Sequence, residues 1–185
     1  TTGRRGVAAT IIVEKIVGSL AESGGSLEEC KNLGNKVNKN SGSMGVAFSS
    51  CIVPAAGKPT FELRSDEMEF GVGIHGEPGR RRDKIKSAQE ITNELLNAIL
   101  EDLKPENKDE ILLFVNGMGG TPISELYLIY DNARKMLDNK KIKIARSLVG
   151  NYCTSLEMQG ASITITKLDQ ELVNHWDTAV HTASM

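Results

Sequence analysis

The chain has 185 residues, 22 Lys+Arg against 24 Asp+Glu for a formal net charge of −2, and 39% hydrophobic with 25% charged side chains. The length suits one ordinary domain of ~150 residues, and the balance is that of a globular chain rather than a disordered or fibrous one. A slightly acidic charge and a single Trp exclude a basic, aromatic-lined nucleic-acid groove as the main surface; no run approaches the ~20 apolar residues of a membrane span, and no basic segment followed by an apolar core marks a secretory signal.

Thr1, in place of an initiator Met, carries the expectation that the chain is processed or cut from something longer. Cys30, Cys51 and Cys153 are odd in number, widely spaced and free of any C-x-x-C pattern. They read as small buried hydrophobes of a reducing, cytoplasmic compartment.

In chain order, Ala8, Ile12, Ile16 and Leu20 recur every fourth place with Val13 and Val17 beside them, which predicts a helix over residues 5–23, ended by Gly24-Gly25. Ser26-Leu27-Glu28-Glu29 is a capping box and opens a second helix to residue 38. Residues 45–49 read as a short strand, and Val53-Pro54-Ala55-Ala56-Gly57-Lys58-Pro59 as an ordered turn or connector. Residues 68–74 alternate as a strand would. A second capping box, Ser87-Ala88-Gln89-Glu90, opens a helix carrying Ile91, Leu95, Leu96, Ile99, Leu100 and Leu103. Residues 111–115 form a continuous apolar run, the pattern of a strand covered on both faces. After a glycine-rich turn, Thr121 as N-cap and Pro122 at the first helical position start a helix with Ile123, Leu126, Tyr127, Tyr130 and Leu137. Residues 142–149 and 163–166 read as two further strands. The mixture of strands and helices predicts an α/β (α+β) domain of two layers, with a mixed β-sheet and helices packed mainly on one face.

Chemistry concentrates in Met68-Glu69-Phe70-Gly71-Val72-Gly73-Ile74-His75-Gly76-Glu77-Pro78-Gly79. Along an extended strand Met68, Phe70, Val72 and Ile74 share an apolar face, and Glu69, Gly71, Gly73 and His75 the other. Two glycines beside a histidine leave room for a small molecule against bare backbone, although glycine otherwise weakens a strand. An imidazole at a strand end has three chemical uses, as metal ligand, general acid or base, and nucleophile; a histidine that merely completes a turn is the structural alternative. Metal ligation is poorly supported, because His175 and His181 are remote in sequence and no ligand spacing completes a site.

Residues 71–76 match G-x-G-x-x-G, but Pro78 and Arg80-Arg81-Arg82 intervene before any helix, so this is not a dinucleotide fingerprint. Gly117-Met118-Gly119-Gly120-Thr121 lies between a strand and a helix start and offers either an anion cradle or a tight turn. There is no G-x-x-x-x-G-K-[ST] in the chain, so it does not read as a self-sufficient P-loop enzyme. Arg80-Arg81-Arg82 is either a steering patch for an acidic group or a solvated loop diluted by Asp83.

Five segments together resemble the dihydroxyacetone kinase family, specifically its substrate-binding subunit: Thr2-Gly3-Arg4-Arg5-Gly6-Val7-Ala8, residues 53–59, Glu67 through Gly79, Gly120-Thr121-Pro122-Ile123-Ser124-Glu125-Leu126-Tyr127, and Cys153-Thr154-Ser155-Leu156-Glu157-Met158. The resemblance spans essentially the whole chain in order. It implies that His75 is both catalytic and substrate-binding, attacking the ketone carbon of dihydroxyacetone to form a covalent hemiaminal. It further implies that the family's second histidine and its aspartate, which activate the substrate hydroxyl, belong to an earlier N-terminal domain with no counterpart in this sequence. On that reading residues 1–185 are the second, C-terminal domain. This chain would bind no cofactor and no metal, ADP or ATP with Mg being carried by a partner kinase subunit or domain. The ending at Met185 is more like the bacterial form, whose phosphoryl group comes through the phosphoenolpyruvate-dependent phosphotransferase system. A homodimer is implied, with no direct nucleic-acid or membrane partner. The family also includes sensor paralogues, transcriptional co-activators that use the same histidine.

Overall fold

The computed structural model describes residues 6–74 and 79–185. Helices α1 (Ala9–Glu22) and α2 (Leu27–Asn40) lead into strand β1 (Ser41–Ala47). A long connection reaches β2 (Glu67–Phe70) and β3 (Arg81–Lys84), then α3 (Ala88–Leu103), β4 (Glu110–Gly117), α4 (Ile123–Asn139), β5 (Lys143–Gly150), β6 (Gly160–Leu168) and α5 (Gln170–Asp177). The strands form one sheet in the order β3-β2-β1-β6-β4-β5. β4 and β5 are parallel, joined through α4, and the other neighbours are antiparallel. The sheet is therefore mixed and the domain α/β, as its sequence pattern implied.

Both capping boxes form. Ser26 accepts from the Glu29 amide while the Glu29 carboxylate takes the Ser26 amide at 2.7 Å, and Ser87 and Glu90 repeat the arrangement. Each satisfies two helix-end donors that would otherwise face water. Hydrogen bonds from Ser26 and from Ser87 hold the Glu29 and Glu90 carboxyls below the usual range.

Period-two alternation in the central strands sends side chains to two cores. Ile111, Leu113 and Val115 of β4, with Ile163 and Ile165 of β6, join Leu95, Leu96 and Ile99 of α3 and Leu126, Ala133 and Leu137 of α4 in the larger cluster. This is the main helix-on-sheet layer. Leu112 and Phe114 point the other way and meet Ile12, Ile16, Leu33, Val37, Leu172 and Trp176, so α1, α2 and α5 form a helical layer with a smaller apolar cluster over the opposite face. Each fully buried Leu, Ile or Phe contributes ~1.5–3 kcal/mol of transfer free energy. Beneath the smaller layer the sheet is polar: Ser41 pairs with Thr166 at 2.7 Å and Ser43 with Thr164 at 2.6 Å across β1 and β6. These cross-strand hydroxyl pairs satisfy groups that burial would otherwise penalise.

Several boundaries differ from expectation. β1 begins at Ser41, ahead of the apolar run at 45–49, because the Ser41 and Ser43 hydroxyl pairs satisfy its first residues, with Met44 adding one core side chain. β3 is an edge strand of four charged or long polar residues, Arg81 to Lys84. Such composition suppresses edge-to-edge association and gives no apolar alternation to read. α5 is short and starts on Asp169, whose side chain accepts from the Leu172 amide at 3.0 Å. Thr121 does not cap α4; Pro122 stands at the N-cap, and the Thr121 hydroxyl instead donates to the Gly160 carbonyl and accepts the Gly160 amide, both at 2.8 Å. Among the described residues no helix is long and apolar enough to cross a membrane.

Candidate functional site

β2 ends at Phe70 because the next residue, Gly71, takes φ +77°, a region that a side chain with Cβ rarely adopts. The single strand expected over 68–74 is thereby corrected. Met68 and Phe70 join the larger core, but after Gly71 the chain swings across β1 and Val72 packs into a separate small cluster with Ala47, Cys51, Met118 and Met158. Gly45 of β1 makes the crossing possible: a Cβ there would lie 3.3 Å from the Val72 carbonyl and 2.9 Å from the Met118 methyl. Glu69 still faces away from Met68 and Phe70, yet that face is not open. Its carboxylate is buried, with the residue 6% exposed.

His75 and residues 76–78 lie outside the described residues, so the geometry speaks through their flanks. On the entering side, the Ile74 carbonyl accepts from the Ser155 hydroxyl at 2.7 Å. Ser155 is itself buried and fixed, its amide donating to the Met118 carbonyl at 2.8 Å, with Cys51 Sγ 3.5 Å from its hydroxyl. On the returning side, the Gly79 amide donates to Glu69 Oε1 at 2.7 Å, and Arg82 Nε donates to Glu69 Oε2 at 3.1 Å. The Arg80 amide then closes on the Phe70 carbonyl at 2.6 Å and starts β3. Gly79 has no room for a side chain: a Cβ would stand 2.4 Å from the Phe70 carbonyl oxygen and 2.6 Å from Glu69 Cγ. A buried carboxylate with a neutral amide on one oxygen and a guanidinium on the other is satisfied electrostatically.

The arginine triplet divides. Arg82 holds Glu69, while Arg81 pairs with Asp83 at 2.8 Å and with Glu94, and stacks 4.6 Å from the centre of the Phe70 ring. Hydrogen bonds from Arg81 and Lys86 keep the Asp83 carboxyl below its usual range. Two of the three cations therefore hold the hairpin together. Arg82 also borders an open cleft of about 1010 Å³ with Phe48, Ser50, Phe61, Arg64 and Gln159.

The turn after β4 is a tight structural junction. The amides of Met118 and Gly120 donate to the carbonyls of Gly160 and Met158, at 3.0 and 2.9 Å. The space a Cβ would need at Gly119 is filled by the Leu156 carbonyl oxygen at 1.9 Å, and at Gly120 by the Glu157 carbonyl oxygen at 2.4 Å. Backbone fills what a phosphate would have to occupy, which argues against the anion-cradle reading. Asn116, fully buried, fixes the neighbouring segment by accepting from the Tyr152 and Cys153 amides and donating to the Cys153 carbonyl.

The thiols of Cys30, Cys51 and Cys153 are free. Burial, and behind it Glu14, pushes the Cys153 thiol upward, away from the thiolate a nucleophile needs. His175 is engaged with Ser19 at 3.0 Å through Nδ1, on the far end of the chain from the β2–β3 segment. No group of three His, Cys, Asp or Glu side chains among the described residues is arranged to hold a metal ion.

The site residues that sequence reasoning missed are Glu69 and Ser155. Both were visible only indirectly: Glu69 as a charged residue between two core residues of β2, Ser155 within a segment similar to the family's.

Comparison with known proteins identifies the lineage. The profile of the Dak1 domain matches residues 1–184. The dihydroxyacetone-binding subunit DhaK of the phosphoenolpyruvate-dependent dihydroxyacetone kinase of Escherichia coli is 41% identical over 209 aligned positions, covering 100% of this chain and 59% of that protein. The dihydroxyacetone kinase operon co-activator Dha-DhaQ superposes with a TM-score of 0.87 at 34% identity, over 95% of this chain and 55% of the other. The C. freundii dihydroxyacetone kinase, solved in complex with AMP-PNP and Mg2+, superposes with a TM-score of 0.81 at 28% identity, over 95% of this chain and 32% of that one. The chain thus spans little more than half the length of the curated relative it matches in full. With its profile match running nearly end to end, the chain belongs to the Dak1 domain family.

Proposed function

We propose that this chain is the ketone-capturing C-terminal domain of the substrate-binding subunit of a dihydroxyacetone kinase, and that His75 is its nucleophile. The observation that carries this reading is the segment between Phe70 and Arg81. It leaves the sheet through a left-handed glycine and is tied down on both sides of residues 75–78 by half-buried hydrogen bonds to Glu69 and Ser155.

In the proposed step, the unprotonated ring nitrogen of His75 attacks the carbonyl carbon of dihydroxyacetone. A C–N bond forms and the C=O π bond breaks. The oxygen takes up a proton, the other ring nitrogen gives one up, and a neutral hemiaminal results. Capture selects short ketones and aldehydes over polyols such as glycerol, which have no electrophilic carbon. It also fixes a hydroxyl for in-line phosphoryl transfer, where positioning supplies most of the catalysis. The groups that activate that hydroxyl, a second histidine and an aspartate, come from an N-terminal domain. The nucleotide with Mg sits on a separate kinase subunit of the phosphoenolpyruvate-dependent type, the assembly works in the cytoplasm, and the substrate-binding subunit is a homodimer. The relative's printed description as a phosphoenolpyruvate-dependent kinase subunit supports this assignment.

A second reading, a dihydroxyacetone sensor acting as a transcriptional co-activator, draws on the superposition with the operon co-activator. Both readings share capture, so two measurements are needed. The first follows dihydroxyacetone labelled with ¹³C at its carbonyl by NMR in the presence of the intact protein: a protein-bound tetrahedral carbon signal, broadened and distinct from that of the free hydrate, is expected, absent in His75→Ala. Unchanged ketone binding by His75→Ala would overturn capture. The second measures phosphate transfer with a nucleotide-bearing partner subunit; capture without transfer favours the sensor.

A further inference from the structure

Glu69 is a buried carboxylate between the core residues Met68 and Phe70 of β2, and nothing in the capture reaction calls for it. Its two oxygens nevertheless have two different partners, the Gly79 amide at 2.7 Å and Arg82 Nε at 3.1 Å, with the carboxylate side chain 8% exposed. Burying a carboxylate is costly unless hydrogen bonds compensate it, so such a group stays in a fold where its geometry is needed. Ser155 has the complementary arrangement at the other end. Its hydroxyl reaches the Ile74 carbonyl from a different part of the chain, 81 residues away in sequence. The histidine follows Ile74 directly, and Gly79 comes four residues after it.

Resting on the proposed role of His75, we infer that Glu69 and Ser155 are positioning residues that clamp the two ends of the histidine segment and hold its ring for attack on a carbonyl. Neither touches the ketone. Glu69 fixes where the segment returns, Arg82 aims the Glu69 carboxylate, and the missing side chain of Gly79 lets the amide come close enough to be held. Ser155 fixes where the segment leaves. Its own backbone amide donates to the Met118 carbonyl at 2.8 Å, which ties that anchor to the residue that follows β4. A fixed Ile74 carbonyl on one flank and a fixed Gly79 amide on the other are how supporting residues pre-orient a nucleophile without contributing a reacting atom.

The test uses the intact protein and two ligands, ¹³C-carbonyl dihydroxyacetone, which can be captured, and glycerol, which cannot. Wild type is expected to show the tetrahedral carbon and a strong preference for the ketone. Ser155→Ala, which loses the hydrogen bond to Ile74, should lower the ketone affinity about tenfold, and Glu69→Ala, which loses its bonds to both Gly79 and Arg82, by at least about as much, while each leaves glycerol affinity near wild type. A purely structural defect would weaken both ligands together. Glu69→Gln has one acceptor oxygen for two donors and should fall between wild type and Glu69→Ala; this variant decides the Glu69 case if Glu69→Ala fails to fold. Folded variants that keep the wild-type ketone preference would overturn the clamp. Absence of a protein-bound tetrahedral carbon in wild type would instead overturn the capture reading itself, so the two failures are distinct.

Discussion

Two glycine-rich turns follow strands in this domain and look alike in sequence, Gly71 to Gly79 after β2 and Gly117 to Gly120 after β4. In the second, the bare positions are occupied by backbone: the carbonyls of Leu156 and Glu157 stand where side chains would be, and the amides of Met118 and Gly120 are paired with strand β6 and the segment before it. In the first, Gly71 turns the chain off the sheet and Gly79 brings it back against Glu69, with the described flanks fixed by side chains from elsewhere in the fold. Bare backbone can serve another backbone or a ligand, and its neighbours distinguish the two. A turn held by main-chain pairs is a junction; a segment whose flanks are held from outside suits the proposed mount for a nucleophile.

The largest expected effect lies at the junction. Gly119→Ala sets a side chain at φ +123° and 1.9 Å from a carbonyl oxygen, so destabilisation of about 3 kcal/mol or more is expected by chemical denaturation; a change below about 1 kcal/mol would show that the two turns are not different in kind. Asn116→Ala leaves the Tyr152 and Cys153 amides and the Cys153 carbonyl without their partner and should cost about 2–3 kcal/mol, with ketone capture retained at temperatures where the variant is folded.

At the mount the effects should appear in function. Capture should weaken as the pH falls from 8 to 5, because a protonated ring has no lone pair to donate. Flat capture over that range would argue against a nucleophilic histidine. Gly79→Ala would push against the Phe70 carbonyl and Glu69 and should reduce capture about tenfold with a smaller loss of stability, the reverse of the Gly119 result. The smallest effect is Gly117→Ala, about 1 kcal/mol, because the nearest obstacle is the end of the exposed Asn151 side chain, which can swing away.

Sequence legibility followed the same division between local and distant causes. The capping boxes at Ser26 and Ser87, the apolar run of β4 and the helical stripes could be read because each signal lies within a few residues of its effect. The length of β2 could not: Met68, Phe70, Val72 and Ile74 alternate as one strand, and only the conformation of Gly71 separates them into two packing environments. β3 was hidden by its charge, and Thr121, a good N-cap in isolation, was diverted by a partner 39 residues away. At the site, the histidine motif was readable as a local pattern. The clamp of Glu69 and Ser155 was not, since it joins β2, the start of β3 and the segment before β6, which only the folded chain brings together.

The central claim, that this domain holds a histidine for covalent capture of a ketone, is tested most directly by crystallography of the assembled protein soaked in dihydroxyacetone. Continuous density from the His75 ring to a tetrahedral carbon of the ligand is predicted. A ligand lying unattached beside the ring, or a site that stays empty at saturating dihydroxyacetone, would contradict it.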